Sequence, residues 1–173
     1  DIDLIVYGSC SSDELVPNSS SAVQAAIGAK RAASMDVNTA CTSFLYSLST
    51  ATAMIRTGVV KKALVIGVEI ISPFMDWENR NVAVLFGDGC AAVVVEASDK
   101  EEGVLGEQLG CLADVRHTLR VRGMGTAYCN LDVTSGITSW DFDGQEIFRH
   151  AVQGMVAASS AVMQKCGVTA DDI

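Results

Sequence analysis

Short, almost wholly apolar runs separated by segments of helical period constrain this chain more than any other feature. Residues 63–68 and 90–95 are such runs, and residues 4–8 form a third. Apolar residues without alternation over so short a length read as strands covered on both faces. Between these runs, residues 19–29 read as a helix opened by serines, with Ser21 and Gln24 at capping-box spacing. Residues 34–37 read as a short strand, after which Phe44, Leu45, Leu48, Ala51 and Ile55 recur at helical spacing until Gly58 stops the helix. Strands alternating with helices predict an α/β layered fold, with residues 90–95 as a further central strand.

The second part of the chain is less regular. Residues 98–103 (Ser-Asp-Lys-Glu-Glu-Gly) are the one internal boundary marked by composition. We therefore divide the chain into residues 1–98 and 99–173. Residues 104–112 are expected to form a strand and 113–140 to be irregular. A long helix is expected from Asp143, capped with Glu146, its apolar face holding Phe148, Val152, Met155, Val162 and Cys166. Residues 168–173 look like the approach to one more strand, so both ends are expected to be cut within a larger design.

Composition narrows the function classes. With 49% apolar and 19% charged residues, 2 prolines and 15 glycines, the chain is neither disordered nor a linker. A formal charge of −9 argues against a nucleic-acid or anionic-membrane surface. Arg116, Arg120 and Arg122 are the nearest thing to a basic cluster and read as ordinary solvated charges. No apolar run approaches the roughly 20 residues of a membrane span, and Asp1 and Asp3 do not look like a signal peptide, so a cytoplasmic protein is expected. Six scattered cysteines, Cys10, Cys41, Cys90, Cys111, Cys129 and Cys166, show no Cys-x-x-Cys pairing. Most are expected to be reduced, buried thiols.

Cys41 is the exception. In Asp36-Val37-Asn38-Thr39-Ala40-Cys41-Thr42-Ser43-Phe44 it stands where a strand turns through small residues into an amphipathic helix. A thiol there meets the positive end of a helix dipole, which favours the thiolate, and a thiolate can attack an acyl thioester. A buried cysteine that merely starts a helix fits the same spacing equally well.

The stretch from Asp36 to Phe44, the apolar strand after it, Phe86-Gly87-Asp88-Gly89 with its following strand, and Asp143-Gly144-Gln145-Glu146-Ile147-Phe148-Arg149 occur in that order. Together they resemble β-ketoacyl-acyl carrier protein synthase III. The resemblance runs through nearly the whole chain and implies a thiolase-like αβαβα fold, incomplete at both ends. It implies a decarboxylating condensation that starts fatty-acid synthesis. An acyl group passes from acyl-coenzyme A to Cys41, whose backbone N–H forms half of an oxyanion hole, and is then condensed with malonyl-acyl carrier protein. It implies no cofactor, coenzyme A entering only as a thioester substrate, and a homodimer whose central strands pair across a two-fold axis, with residues 90–95 and Val16 suggesting the same here. Arg80 matches an arginine that packs on the adenine of coenzyme A, which suits a planar guanidinium. Val16, before Pro17, matches a residue that closes the partner's acyl pocket. Phe86 is carried over as a substrate-binding residue.

The chain departs from the family pattern at Thr42, Ser43 and Asn81, where small residues or glycine are usual. The resemblance also places the family's catalytic histidine and asparagine beyond Ile173, and its first strand and helix before Asp1. His117 and His150 read as surface or packing residues. Two other readings stay open: a thiolase-fold acyltransferase with another acceptor, and a non-catalytic dimerisation partner of a synthase. A retained cysteine at the helix start argues against the second.

Overall fold

In the computed structural model, residues 1–100, 102–123, 125–128 and 139–173 are described. The chain forms two compact units. One contains residues 1–70 and 87–105, the other residues 71–86 and 106–173. The last crossing, between Leu105 and Gly106, falls just after the polar stretch 98–103. The crossings after Ile70 and Phe86 carry no mark in composition.

The first unit is built on a four-stranded sheet of order β2-β1-β3-β4. Its strands are β1 (Leu4–Gly8), β2 (Ala33–Val37), β3 (Lys62–Glu69) and β4 (Gly89–Glu96). β1 runs parallel to both β2 and β3, and β4 runs antiparallel to β3. Helix α1 (Ser19–Ala26) links β1 to β2, and α2 (Ser43–Arg56) carries the chain back over β1 to β3. Successive residues of a strand face opposite ways, so the apolar runs serve two layers. Leu4, Val6, Ala63 and Val65 pack on the α2 side with Phe44, Leu48, Ala51 and Ile55. Ile5 and Ile66 pack on the α1 side with Val23, Ala29 and Leu64. Leu4, Ile5, Val6 and Val65 are wholly buried, and each such side chain contributes about 1.5–3 kcal/mol.

The helix ends have specific causes. α1 does not begin with a Ser21–Gln24 capping box. The Asp36 carboxylate on β2 accepts the N–H groups of Ser19 and Ser20 at 2.8 and 2.9 Å, while Gln24 donates to the carbonyl of Ala32. A carboxylate from a neighbouring strand meets the free N–H groups and the positive end of the helix, so no local cap is needed. The helix stops at Ala26, three residues before the predicted limit, and turns at Gly28 with φ +69°. Gly58, at φ +76°, ends α2 as its position predicts.

β4 is not a central strand. It stands last in the order, and seven of its eight residues are exposed. Its apolar run is as long as that of β3, yet among the described residues it has a neighbouring strand on one side only.

The second unit holds a short helix α3 (Arg80–Ala83), an antiparallel pair β5 (Leu119–Arg122) and β6 (Ser139–Phe142), and the long helix α4 (Gly144–Cys166). Thus the stretch expected to be irregular contains strands of an antiparallel pair and the 3-10 turns Ala113–Thr118 and Thr126–Tyr128. The expected strand at 104–112 is absent, since those residues follow an open path with no ladder partner. Asp143 caps α4 as predicted, accepting the N–H of Glu146 at 3.0 Å. The apolar face of α4 is not buried: Phe148, Val152 and Met155 are all exposed. Residues 168–173 contain a 3-10 turn, Ala170–Asp172, closed by a capping box between Thr169 and Asp172. No helix among the described residues is long and apolar enough to cross a membrane.

Candidate active site

The carboxyl ends of β1, β2 and β3 meet at one edge of the sheet, where a doubly wound fold leaves a crevice. β1 lies at the centre of that edge, with the chain leaving it for β2 through α1 and crossing back to β3 through α2. Cys41 stands there, on the turn between β2 and α2.

The turn is held in an unusual shape. Ala40 has φ +52°, the one positive value at a non-glycine residue among the described residues. For an L-residue this conformation costs about 1–2 kcal/mol, and local hydrogen bonds hold it. Ala40 N–H donates to Asn38 Oδ1 at 3.1 Å, and its carbonyl accepts from the N–H and the hydroxyl of Ser43. Ser43 Oγ also accepts the Thr39 N–H, and the Thr42 hydroxyl donates to the Thr39 carbonyl. The small polar residues that depart from the family pattern, Thr42 and Ser43, are therefore the ones that fasten the turn. The strained residue points the chain back sharply and leaves Cys41 exposed just before α2 begins.

Two glycines let the turn and the helix lie against the sheet. A Cβ on Gly8 would stand 2.8 Å from the Ser43 backbone and from Ser47 Oγ, and one on Gly67 would stand 3.0 Å from Phe44. Ser43 and Ser47 are buried for the same reason: only small side chains fit where α2 crosses the ends of β1 and β3. The resulting cavity has a volume of about 310 Å3, and its lining includes Gly8, Cys41, Phe44, Gly67, Val68 and Glu69 together with Gly89 and Ala91 of β4. Neither His117 nor His150 lines it. Both face Glu146, at 3.8 and 3.7 Å.

Glu69 is the one charged residue of that lining, and sequence reasoning passed over it. Its carboxylate accepts the backbone N–H of Cys10 at 2.8 Å and the Cys10 thiol at 2.9 Å. Burial first, then the hydrogen bond and charge of Glu69, push the Cys10 thiol up to about 12. Of the five described cysteines all are free; Cys10, Cys41, Cys90 and Cys111 are exposed and Cys166 is half-buried. The expectation of buried thiols fails because the sites lie on strand ends, on the uncovered β4 and in open chain, outside the two packed layers. Cys129 lies outside the described residues.

The remaining predicted site residues divide between the units. Val16 belongs with Cys41 in the first unit and is 80% exposed. Arg80 and Phe86 belong to the second unit. Arg80 is exposed at the start of α3, whose cap is Asn79. Phe86 packs on Trp140 at 5.0 Å between ring centroids and on Phe142 at 6.1 Å. Trp140 is fixed in turn by donating to the Phe74 carbonyl at 2.8 Å. Beside these rings a cavity of about 500 Å3 is lined by Asn81, Leu85, Phe142, Asp143, Gly144 and Gln145. Arg120 and Arg122 both pair with Asp141, so they are engaged within the β5–β6 pair.

Comparisons with known proteins cover the Cys41 turn and the sheet around it. Residues 35–113 match the family described as 3-oxoacyl-[acyl-carrier-protein (ACP)] synthase III. The whole chain is 44% identical to β-ketoacyl-[acyl-carrier-protein] synthase III 2 of Vibrio cholerae, covering 48% of that protein. Over its whole length this chain is similar to the β-ketoacyl-[acyl-carrier-protein] synthases III. The synthase III of Roseiflexus castenholzii is 36% identical over 99% of this chain and 53% of its own length. The crystal structure of the Thermus thermophilus synthase III superposes with a TM-score of 0.89 at 31% identity, over 99% of this chain and 53% of that one. The fold is therefore the thiolase-like α/β layered fold of the synthases III. The chain spans about half the length of the curated relatives it matches.

Proposed function

We propose that this chain carries the acyl-accepting part of a synthase III, with Cys41 as the nucleophile. The observation that supports this most is the Ala40 turn, which holds Cys41 out at the mouth of a mostly apolar cavity above the carboxyl ends of three parallel strands. In the proposed reaction the Cys41 sulfur attacks the carbonyl carbon of an acyl-coenzyme A. Negative charge develops on the thioester oxygen, where the Cys41 N–H would donate, and the coenzyme A thiolate leaves. The acyl-enzyme then accepts the carbanion formed when malonyl-acyl carrier protein loses carbon dioxide, and the Cys41 thiolate is released. This is the first condensation of fatty-acid synthesis.

In this reading residues 1–98 make up most of the first thiolase-like half and residues 99–173 begin the second. Arg80 stacks on the adenine of coenzyme A, with Phe86 and the cavity beside Asn81 as the place for further contacts. Two copies form a dimer in which the exposed Val16 reaches the partner's acyl pocket, and valine leaves more room there than a phenylalanine would.

The test is intact-protein mass spectrometry after incubation with acetyl-coenzyme A. A mass gain of one acetyl group is expected, mapped to Cys41 and lost in Cys41→Ala. Acylation that persists in Cys41→Ala, or none in a folded protein, overturns the reading.

A further inference from the structure

A second thiol stands at the same edge of the sheet as Cys41, and the structure gives it a different partner. β1 and β3 are adjacent and parallel, with Gly8 paired to Gly67. Two residues further along each strand, Cys10 and Glu69 face one another. The Glu69 carboxylate takes both hydrogen-bond donors of Cys10, the N–H with Oε1 and the S–H with Oε2, and it lines the Cys41 cavity. We propose that Glu69 selects which of these two thiols reacts: it keeps the proton on Cys10 and leaves Cys41 free to meet an electrophile.

Several observations carry this. A thiolate at Cys10 would lose its hydrogen bond to Glu69 and stand against a carboxylate. Electrostatics at such short range are weakly screened. Burial weighs most on the Cys10 thiol; Glu69, from β3, and Cys41, from the turn after β2, add to it and the Cys10 N–H opposes them, the thiol being pushed up to about 12. A Cys10 thiol that keeps its proton does not compete with Cys41 for one acyl group. No bond changes at Cys10: its proton stays on sulfur while the acyl transfer runs at Cys41. In this respect the inference rests on the proposed acylation of Cys41, but its physical content, a protonated and silent Cys10, can be measured without that reaction.

The experiment is timed alkylation of the purified protein with iodoacetamide at pH 8, followed by peptide mass mapping. A rise of three pKa units cuts the thiolate fraction about a thousandfold, and the greater nucleophilicity of a more basic thiolate restores part of that, leaving about a 30-fold slower reaction. Cys10 is expected to label about 30-fold more slowly than the exposed Cys111. In Glu69→Gln, which keeps the shape and removes the charge, the gap should shrink at least fivefold. Incubation of the variant with acetyl-coenzyme A should then place part of the acetyl group on Cys10. Labelling of Cys10 within threefold of Cys111 in the wild-type protein overturns the inference and requires no variant. So does a folded Glu69→Gln protein in which Cys10 stays as slow as before. Loss of all acylation with both alkylation results as expected would sink the proposed function and leave this inference standing.

Discussion

β3 and β4 are neighbours of equal length with nearly the same apolar content, and their environments are opposite. Every residue of β3 from Ala63 to Val68 is buried or half-buried, between the α2 layer and the α1 layer. In β4 Val93 and Val94 are 42% and 57% exposed, and only Val95 packs on the core, opposite Ala63. A run of apolar residues states that a strand requires cover. Its place in the sheet decides whether the cover is present, and β4 comes after the last helix that crosses the sheet.

The sharpest way to break that comparison is to place a charge in each strand. Val65→Asp puts an unpaired carboxylate where no side-chain surface reaches water, and should cost about 4–5 kcal/mol or prevent folding. Val94→Asp should change urea stability by less than about 1 kcal/mol. Sedimentation reads the same strand in the proposed dimer: loss of the assembly in Val94→Asp means that a second copy covers β4 and that the contrast belongs to the single chain.

A smaller effect separates the glycines at the two strand ends. Gly8→Ala drives a Cβ to 2.8 Å from the Ser43 backbone, whereas a Cβ on Gly89 meets nothing within 4 Å. Gly8→Ala should cost about 1–3 kcal/mol in urea unfolding and slow acylation of Cys41, because the turn must move. Gly89→Ala should leave the unfolding midpoint within error. Equal effects from the two substitutions would mean that the close approach of α2 to β1 is not what sets the site.

The smallest effect concerns the pair that joins the two strands. Lys62 and Glu96 are cross-strand partners and form an ion pair. The hydrogen bond and then the charge of Lys62 hold the Glu96 carboxyl below its usual 4.5. A depressed folded value means that the pair contributes above the unfolded value and is lost as pH falls through the folded one. The NMR titration midpoint of Glu96 should lie below 4.5 and return to it in Lys62→Met, with almost no change in unfolding midpoint because the pair is exposed. A midpoint unmoved by the substitution would show that the ladder alone, and not the ion pair, fixes this edge.

By itself the sequence determined the elements of the first unit and the place of Cys41 on the turn before α2. Period and apolar runs mark β1, β2, α2 and β3, because those residues must each bury a face. The order of small residues around Cys41 marks the turn. The helix from Asp143 with its Glu146 cap was legible for the same local reason. What only tertiary structure decided depends on residues distant in the chain. The α1 cap comes from Asp36, some 16 residues away. The exposure of β4 and of the α4 face depends on what else covers them. Residues 71–86 join the second unit although nothing in their composition announces it. Glu69 and Cys10 are separated by 59 positions and become partners because parallel pairing of β1 with β3 sets their ends side by side. A local pattern reports what a residue requires of its surroundings, whereas the partner that meets the requirement is chosen by strand register and chain crossing, which no window of sequence contains.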